Sequence, residues 1–420
     1  MGRRRQSKKR TTILAIWLAF ILITVSGCST YASFSEAFLG EEPEEDVVRI
    51  GVFEPLSGSD EEAARLEVMG IELAHNLYPT VLGKRVELVY ADNKSDITVA
   101  ESAAQTLVDK KVDVILGSYG NTLSMAGGQY FHKAMIPAIA ITCTNPLVTK
   151  GNAYYFRISI VDSFQGIMAA KYVFDELGLS DATILKQADD DYGAALSQQF
   201  ADKLASLAQV ENAILATVEY KKDTVDYEKE LMRVKASGAE VVYLPCPAKE
   251  GAEIIRQARK YGVDALFIGT DLWHDESFIE TGGQAVEGAV FTTYFDAESA
   301  VTEKTRAFLA THQIEYGDKT APHSSTALGF DAYLLALDAI ERHAELKKVA
   351  EKDPEGFKNL TLRDVLAQTR EYAGATGSIS FDENGDPIKS VVMITVEKGE
   401  FKHKTTVHPE WNESEDTTES

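Results

Sequence analysis

Cysteine is scarce in this chain: three residues in 420, Cys28, Cys143 and Cys246, far apart and in no C-x-x-C pair. That spacing excludes a disulfide framework and a thiolate zinc site. The eight histidines are scattered. His132 and His274 have no ligand-type companion nearby, and His75 with Glu72 one turn earlier is a common solvated-helix pairing, so no metal centre is expected. There is no G-x-S-x-G elbow, no H-E-x-x-H, no Gly-Lys phosphate loop and no G-x-G-x-x-G fingerprint. An enzyme therefore has no basis in the sequence, and no cofactor is implied. Positive charge is also short, with 42 Lys and Arg against 65 Asp and Glu and a net charge of −23. Such a surface repels nucleic acid and anionic lipid headgroups.

What the chain does have begins at its amino end. Six basic residues (Arg3, Arg4, Arg5, Lys8, Lys9, Arg10) precede an apolar run from Ile13 to Val25, broken by Thr24 and followed by Ser26-Gly27-Cys28. The run falls short of the roughly 20 apolar residues of a membrane span. A basic stretch, a short apolar run and small residues before a cleavage point are the layout of a secretory signal. Ending on Cys, the segment resembles a bacterial lipobox, which implies that Cys28 is lipidated and heads the mature chain. The other reading is a retained anchor helix with an incidental Cys. Either way the remainder lies outside the membrane and tethered to it. Removing residues 1–27 takes away six positive charges and no negative ones, leaving about −29. Residues 28–46 are an acidic, polar linker, and 404–420 an acidic tail expected to be disordered.

Between these ends, short Val/Ile/Leu-rich runs alternate with amphipathic stretches. Strands are expected at 47–53, 85–90, 113–116, 138–142, 182–186, 213–219, 240–244, 265–268 and 288–294. Helices are expected at 61–77, 97–110, 122–133, 163–177, 193–207, 226–237, 249–261 and 275–280. Unbroken β-α alternation predicts an α/β fold of mainly parallel sheets with helices on both faces. Two successive sets of four or five strands, in roughly 375 ordered residues, predict two lobes rather than one core. Two long helices (301–315 and 323–343) follow, then a strand pair around the Asn384-Gly385 hairpin signal. Open parallel sheets bind ligands at the carboxyl ends of their strands, so two facing sheets would form a cleft.

Several segments now carry a resemblance. "IGVFEPLSG" (50–58), "VLGKRVELVYADNKSD" (81–96), "VILGSYGNTLSMA" (114–126), "IPAIAITCTNPLVTKGNAYYFRI" (136–158), "DSFQGIMAAKY" (162–172), "DDYGAAL" (190–196) and "TGSISFDENGDP" (376–387) occur in order. In that order and spacing the chain resembles the leucine/isoleucine/valine-binding branch of type I periplasmic binding proteins, from about residue 47 to 403. The resemblance implies two Rossmann-like lobes joined by three hinge strands, near 159–165, 290–296 and 374–380. It gives the N-lobe residues 47–162 and 295–376, and the C-lobe 163–294 and 377–403. It further implies a small-molecule ligand, an amino acid or similar amphoteric solute, handed to ABC permease subunits by a monomer on the extracytoplasmic face of a bacterial membrane. A sensor of the same fold coupled to a membrane signalling protein is the alternative.

By the same resemblance, Ser118, Tyr119, Gly120 and Asn121, then Thr142, Cys143 and Thr144, face the ligand carboxylate. Small residues and helix-terminal N–H groups suit an anion; Ser118 and Asn121 as plain caps of a βα turn are the other reading. Tyr192 is expected to cover the ligand, or to be a surface Tyr. Asp271 is expected to pair with an α-ammonium, or to cap the turn before Trp273. Cys246 and Cys143, on opposite walls, read as small apolar wall residues, with a thiol pair as the minority reading. The sequence departs from the branched-chain pattern at Glu54, at "LPCPAKEG" (244–251) and at Trp273. Glu54 is read as facing solvent, with a second negative contact for a basic ligand as the other reading, and Trp273 as the wall of a larger pocket, so leucine specificity does not transfer.

Overall fold

Strands and helices alternate from the first described residue onward. The computed structural model describes residues 47–297, 302–317, 320–350 and 360–409. The lipobox with Cys28, the whole linker and the end of the acidic tail lie outside them. Among the described residues no helix is long and apolar enough to cross a membrane.

The first half runs β1 (Val48–Glu54), α1 (Glu61–Leu77), β2 (Thr80–Val81), β3 (Lys84–Asp92), α2 (Ile97–Asp109), β4 (Val114–Gly117), α3 (Asn121–Ala134), β5 (Ala138–Ala140) and β6 (Tyr155–Arg157). The second runs α4 (Asp162–Lys171), β7 (Ala182–Gln187), α5 (Asp191–Ala208), β8 (Ile214–Tyr220), α6 (Glu228–Ser237), β9 (Val241–Tyr243), α7 (Ala248–Lys260), β10 (Leu266–Gly269), α8 (Glu276–Gly282) and β11 (Val290–Thr293). There follow α9 (Glu303–Tyr316), α10 (Ser324–Ala350), α11 (Leu362–Ala367), β12 (Tyr372–Gly374), β13 (Gly377–Phe381), β14 (Pro387–Lys389), β15 (Val391–Glu397) and β16 (Glu400–Val407).

One sheet has the order β2-β3-β1-β4-β5-β6 and a second the order β16-β15-β11-β10-β9-β7-β8. Pairing is parallel through β1/β4/β5/β6 and β8/β7/β9/β10/β11, whereas β15 and β16 add antiparallel. The central strands are covered on both faces, so β4 (VILG) and β9 (VVY) are buried throughout. Each sheet with its helices is a lobe of the type I periplasmic binding protein fold. The second lobe holds a core on each face of its sheet, with Phe200 stacked on Tyr243 at 4.4 Å in one and Trp273 on Phe278 at 4.6 Å in the other.

Helix α10 is buried on all sides from Thr326 to Leu337 because α1, α9, α11 and strands β2, β4 and β12 pack around it, α1 most extensively. The crossing is set by glycine: a Cβ on Gly70 would fall 2.0 Å from the Thr326 carbonyl, and one on Gly329 2.2 Å from that of Glu67. Gly70→Ala therefore forces two backbones apart and is expected to cost about 1–3 kcal/mol, read as a lower urea midpoint at unchanged slope.

The chain passes between the lobes three times: through 158–161, between β6 and α4; through 294–297, after β11; and at Ser390, between β14 and β15. Three expectations change here. The second crossing, expected near 290–296, begins only after Thr293, because 290–293 is strand β11 of the second sheet. The first crossing stops at 161, since α4 starts at Asp162. The third lies at 389–391 rather than 374–380, because β13 and β14 pair with β12 in a separate three-stranded sheet. That sheet sits against β6: Arg157 N donates to the Gly385 carbonyl, and Phe381 packs on Phe156 at 5.1 Å. Residues 377–389 thus belong beside the first sheet, and only β15 and β16 return to the second. Residues 404–407, expected in the tail, are strand, since β16 completes the ladder on β15.

Buried Lys389 ties the third crossing to the first, donating to the Ile158 carbonyl at 3.3 Å and to Thr376 Oγ1. Asp331 opposes it and accepts from the N–H groups of Ala375 and Thr376. Burial pulls the Lys389 ammonium down to about 8, with Asp331 resisting the shift.

Candidate functional site

The strand ends of the two sheets face a cleft of about 950 Å³. Tyr119, Thr142, Thr144 and Ser159 line it from the first lobe and its crossing, and Tyr192, Asp271, His274 and Tyr294 from the second. Phe295, Asp296, His323 and Leu328 close its remaining side. Among the described lining residues there are three carboxylates (Asp271, Glu276, Asp296) and no Lys or Arg.

Thr142, Cys143 and Thr144 follow β5, and their burial alternates, with Cys143 buried between two half-buried threonines. The two threonines reach the cleft, and Cys143 turns into the core, its Sγ 3.1 Å from Ser124 Oγ and 3.2 Å from the Ser118 carbonyl. Burial pushes that thiol up to about 12, so it stays protonated. Cys143 is therefore not a wall residue. Neither is Cys246, which is buried in the second lobe's core. Both are free thiols, each enclosed in its own lobe.

Three more expected contacts have structural duties instead. Ser118 is buried, donating to the Tyr119 carbonyl at 2.9 Å and accepting from Asn93 Nδ2 at 2.8 Å. Asn121 Oδ1 accepts from the N–H groups of Thr144 and Asn145, both at 3.1 Å, stapling one cleft loop to the other. Gly120 precedes α3 as its N-cap and is not among the lining residues. Trp273 is fully buried, its Nε1 donating to the Cys246 carbonyl at 3.0 Å. The one-turn helix Asp271–Trp273 explains the split, with Asp271 turned to the cleft and Trp273 to the core.

Asp271 is held by neutral groups. Its Oδ1 accepts from Gln165 Nε2 at 2.9 Å, with the Tyr192 hydroxyl at 3.5 Å, and its N–H donates to Gln165 Oε1 at 3.2 Å. Gln165 is itself clamped by Thr292 and Tyr294. Burial raises the Asp271 carboxyl above its ordinary value, against the hydrogen bonds from Gln165, Tyr294 and Tyr192. Gln165 had no functional signal of its own in the sequence; its place in the "DSFQG" segment was the only clue.

Glu54 was expected to face solvent, yet it is fully buried beneath the Tyr119 loop. Its Oε2 accepts from Tyr119 N at 2.7 Å, and buried Glu67 of α1 accepts from the Thr142 hydroxyl through Oε1. Beside them Arg157, also fully buried, anchors the Thr-rich loop: Nη1 donates to the carbonyls of Cys143 and Asn145, Nη2 to Thr149, and Nε to Asp386 at 2.6 Å.

The two lobes enclose this polar cleft between the strand ends of their sheets. Residues 47–400 match the periplasmic binding protein family, and the chain belongs to it. This is a family of extracytoplasmic solute-binding proteins, not enzymes. An amino acid binding protein of Pseudomonas aeruginosa is 29% identical over 69% of this chain and 76% of its own length. A Leu/Ile/Val-binding protein homolog of Brucella abortus is 26% identical over 84% of this chain and 91% of its own length. Among solved structures, a leucine-binding protein of Thermotoga maritima superposes with a TM-score of 0.64 at 32% identity, covering 86% of this chain and 99% of that one. The isoleucine complex of a branched-chain amino acid transporter substrate-binding protein of Streptococcus pneumoniae gives a TM-score of 0.62 at 26% identity, covering 86% of this chain and 99% of that one.

Proposed function

We propose that the protein captures an amino acid in the cleft and delivers it to an ABC permease, from a position tethered to the outer face of the membrane by lipid on Cys28. The observation that carries this reading is Asp271: a half-buried carboxylate at the cleft, satisfied only by neutral donors, in a wall without Lys or Arg among the described residues. Such a group is stabilised by a cation, and a ligand ammonium supplies one. Tyr119, Thr142 and Thr144 on the facing wall take the ligand's polar head, and Tyr192 covers it. The cleft volume falls in the range of small-ligand sites. The lobes close about the crossings at 158–161, 294–297 and 389–391, and no bond is made or broken. The monomer is the delivering unit. The relatives' printed ligands support an amino acid as the solute.

A thermal-shift screen tests this by comparing amino acids with their amine-free acids, such as L-leucine with 4-methylpentanoate. A ligand at 100 times its Kd is expected to stabilise the folded state by about 2.7 kcal/mol. At least one amino acid should raise the melting temperature and be recovered unchanged. Stabilisation by amine-free acids alone would overturn the assignment of Asp271.

A further inference from the structure

Glu54 comes from a strand and Glu67 from a helix, and both are fully buried under the cleft wall. Among the described residues neither forms an ion pair. Each uses one oxygen to hold a lining residue: Glu54 Oε2 holds the Tyr119 amide, and Glu67 Oε1 the Thr142 hydroxyl. The other two oxygens, Glu54 Oε1 and Glu67 Oε2, have no hydrogen-bond partner as carboxylates. Glu54 Oε1 occupies space that only a glycine leaves, since a Cβ on Gly117 would lie 2.2 Å from it. Two buried orphan acceptors are costly, but a proton on one makes it a donor to the other and satisfies both.

We propose that Glu54 and Glu67 share a single proton, with Glu54 Oε1–H donating to Glu67 Oε2, and that they are positioning residues for the ligand. The Glu54 side carries the proton because its Oε2 accepts from an amide as a carbonyl oxygen does. Glu67 stays the carboxylate because it takes a hydroxyl proton from Thr142. Thr142 has one proton, and it is committed inward. Its lone pairs alone therefore face the cleft, where they accept from an N–H donor and repel a carboxylate. This assigns Thr142 to the ammonium end of the ligand, across the cleft from Asp271, and rests on the amino-acid reading above.

The surrounding charges agree with a proton held in place. Burial raises both carboxyls, Glu67 to about 7 and Glu54 well above its ordinary value, the latter also because Glu67 is its neighbour. Tyr119, Cys143 and Tyr155 face the pair, and burial raises all three, so they stay neutral from pH 5 to 9. Asp60 lies toward Tyr119 and Arg157 toward Cys143, and residues 326–330 of α10 bring no titratable group. Across the cleft, burial lowers His274 and His323 and raises Asp271. Between pH 4.5 and about 7 the folded protein binds the Glu67 proton more tightly than the unfolded chain does. Stability from this pair is therefore greatest at the acid end and falls as pH rises through the window. Ligand affinity runs the other way, because protonating Glu67 frees the Thr142 hydroxyl to turn outward.

The test uses the whole protein labelled with 13C at the glutamate side-chain carboxyl, followed by NMR from pH 5 to 9. One glutamate carboxyl is expected to remain protonated at pH 8, and its signal to vanish in Glu54→Gln. Calorimetric titration with L-leucine forms the second arm. Glu54→Gln reproduces a protonated acid, its amide donating to Glu67 and accepting from Tyr119, so affinity should stay within about threefold of wild type. Glu54→Leu leaves the Tyr119 amide and Glu67 Oε2 without partners and should lose about 30-fold or more. Glu67→Gln should flatten the fall in affinity below pH 7. Ionisation of every glutamate at pH 8, or equal damage from Glu54→Gln and Glu54→Leu, overturns the proposal. Should Glu54→Leu fail to fold, the carboxyl signal and its loss in Glu54→Gln still decide it. A protonated carboxyl in a protein that no amino acid in the thermal-shift screen stabilises upholds the shared proton and counts against the amino-acid reading instead.

Discussion

Asp271→Asn is expected to weaken binding of a zwitterionic amino acid by about 30- to 3,000-fold, the consequence of removing one partner from a desolvated charge pair worth roughly 2–5 kcal/mol. The substitution keeps the shape and leaves an oxygen for Gln165, so the cleft itself survives. An amine-free acid of the same skeleton has no ammonium to lose and should bind both forms alike. The free protein should melt no lower than wild type, because burial already raises the Asp271 carboxyl and its charge costs stability in the folded state. The pH profile has a definite sign. Amino-acid affinity falls as acid protonates Asp271, with a midpoint above the ordinary value of 3.8, and the Asp271→Asn substitution abolishes that limb. Calorimetry with matched ligands measures all of this; equal losses for both ligands would refute the ammonium contact.

The second large effect lies behind the site. Arg157→Met removes the guanidinium that joins Asp386, Thr149 and the carbonyls of Cys143 and Asn145. Truncating one side of a buried pair typically costs about 3–5 kcal/mol, a large share of the 5–15 kcal/mol that holds a domain folded. Affinity should fall as well, since the loop between β5 and β6 carries Thr142 and Thr144 and loses its anchor. Arg157→Lys keeps the charge but has no planar fork, so it should fall between the two in both measurements. Urea unfolding of each variant with and without Asp386→Ala isolates the coupling. A full-strength loop in Arg157→Met, judged by unchanged affinity, would show that Asn121 alone holds it.

Most of the architecture was legible because its signals are local. The apolar runs and amphipathic stretches place the parallel strands other than β6, and their helices, within a residue or two, except that α4 gives way to a π-helical turn over Tyr172–Glu176, and the Asn-Gly turn marks the last hairpin. Which sheet that hairpin joins is not local. Asn384-Gly385 specifies a turn, whereas attachment to the first sheet depends on Phe381 meeting Phe156 and Asp386 meeting Arg157. Strand β6 is only three residues long and offers no period to read. At the site, Thr142, Thr144, Tyr119, Tyr192 and Asp271 do line the cleft. The error at Cys143 was avoidable, since strict alternation between two cleft-facing threonines turns the residue between them inward. Glu54 was not avoidable in that way. A lone acid before Pro55 reads as exposed until the partner on α1 and the gap at Gly117 are known, and both belong to three-dimensional packing.

The return of β15 to pair with β11 has a further effect during biogenesis. Until residues 391–397 emerge, the VFTT strand at 290–293 keeps one flank of backbone donors and acceptors open, next to a largely apolar sheet. More than ninety residues of sequence separate the two partners, so loop closure is slow and the second lobe completes late. An open β11 flank is a template for intermolecular pairing. A molecule whose synthesis stops before Val391 is therefore an aggregation hazard even though, Phe401 apart, the residues that line its cleft have already been made.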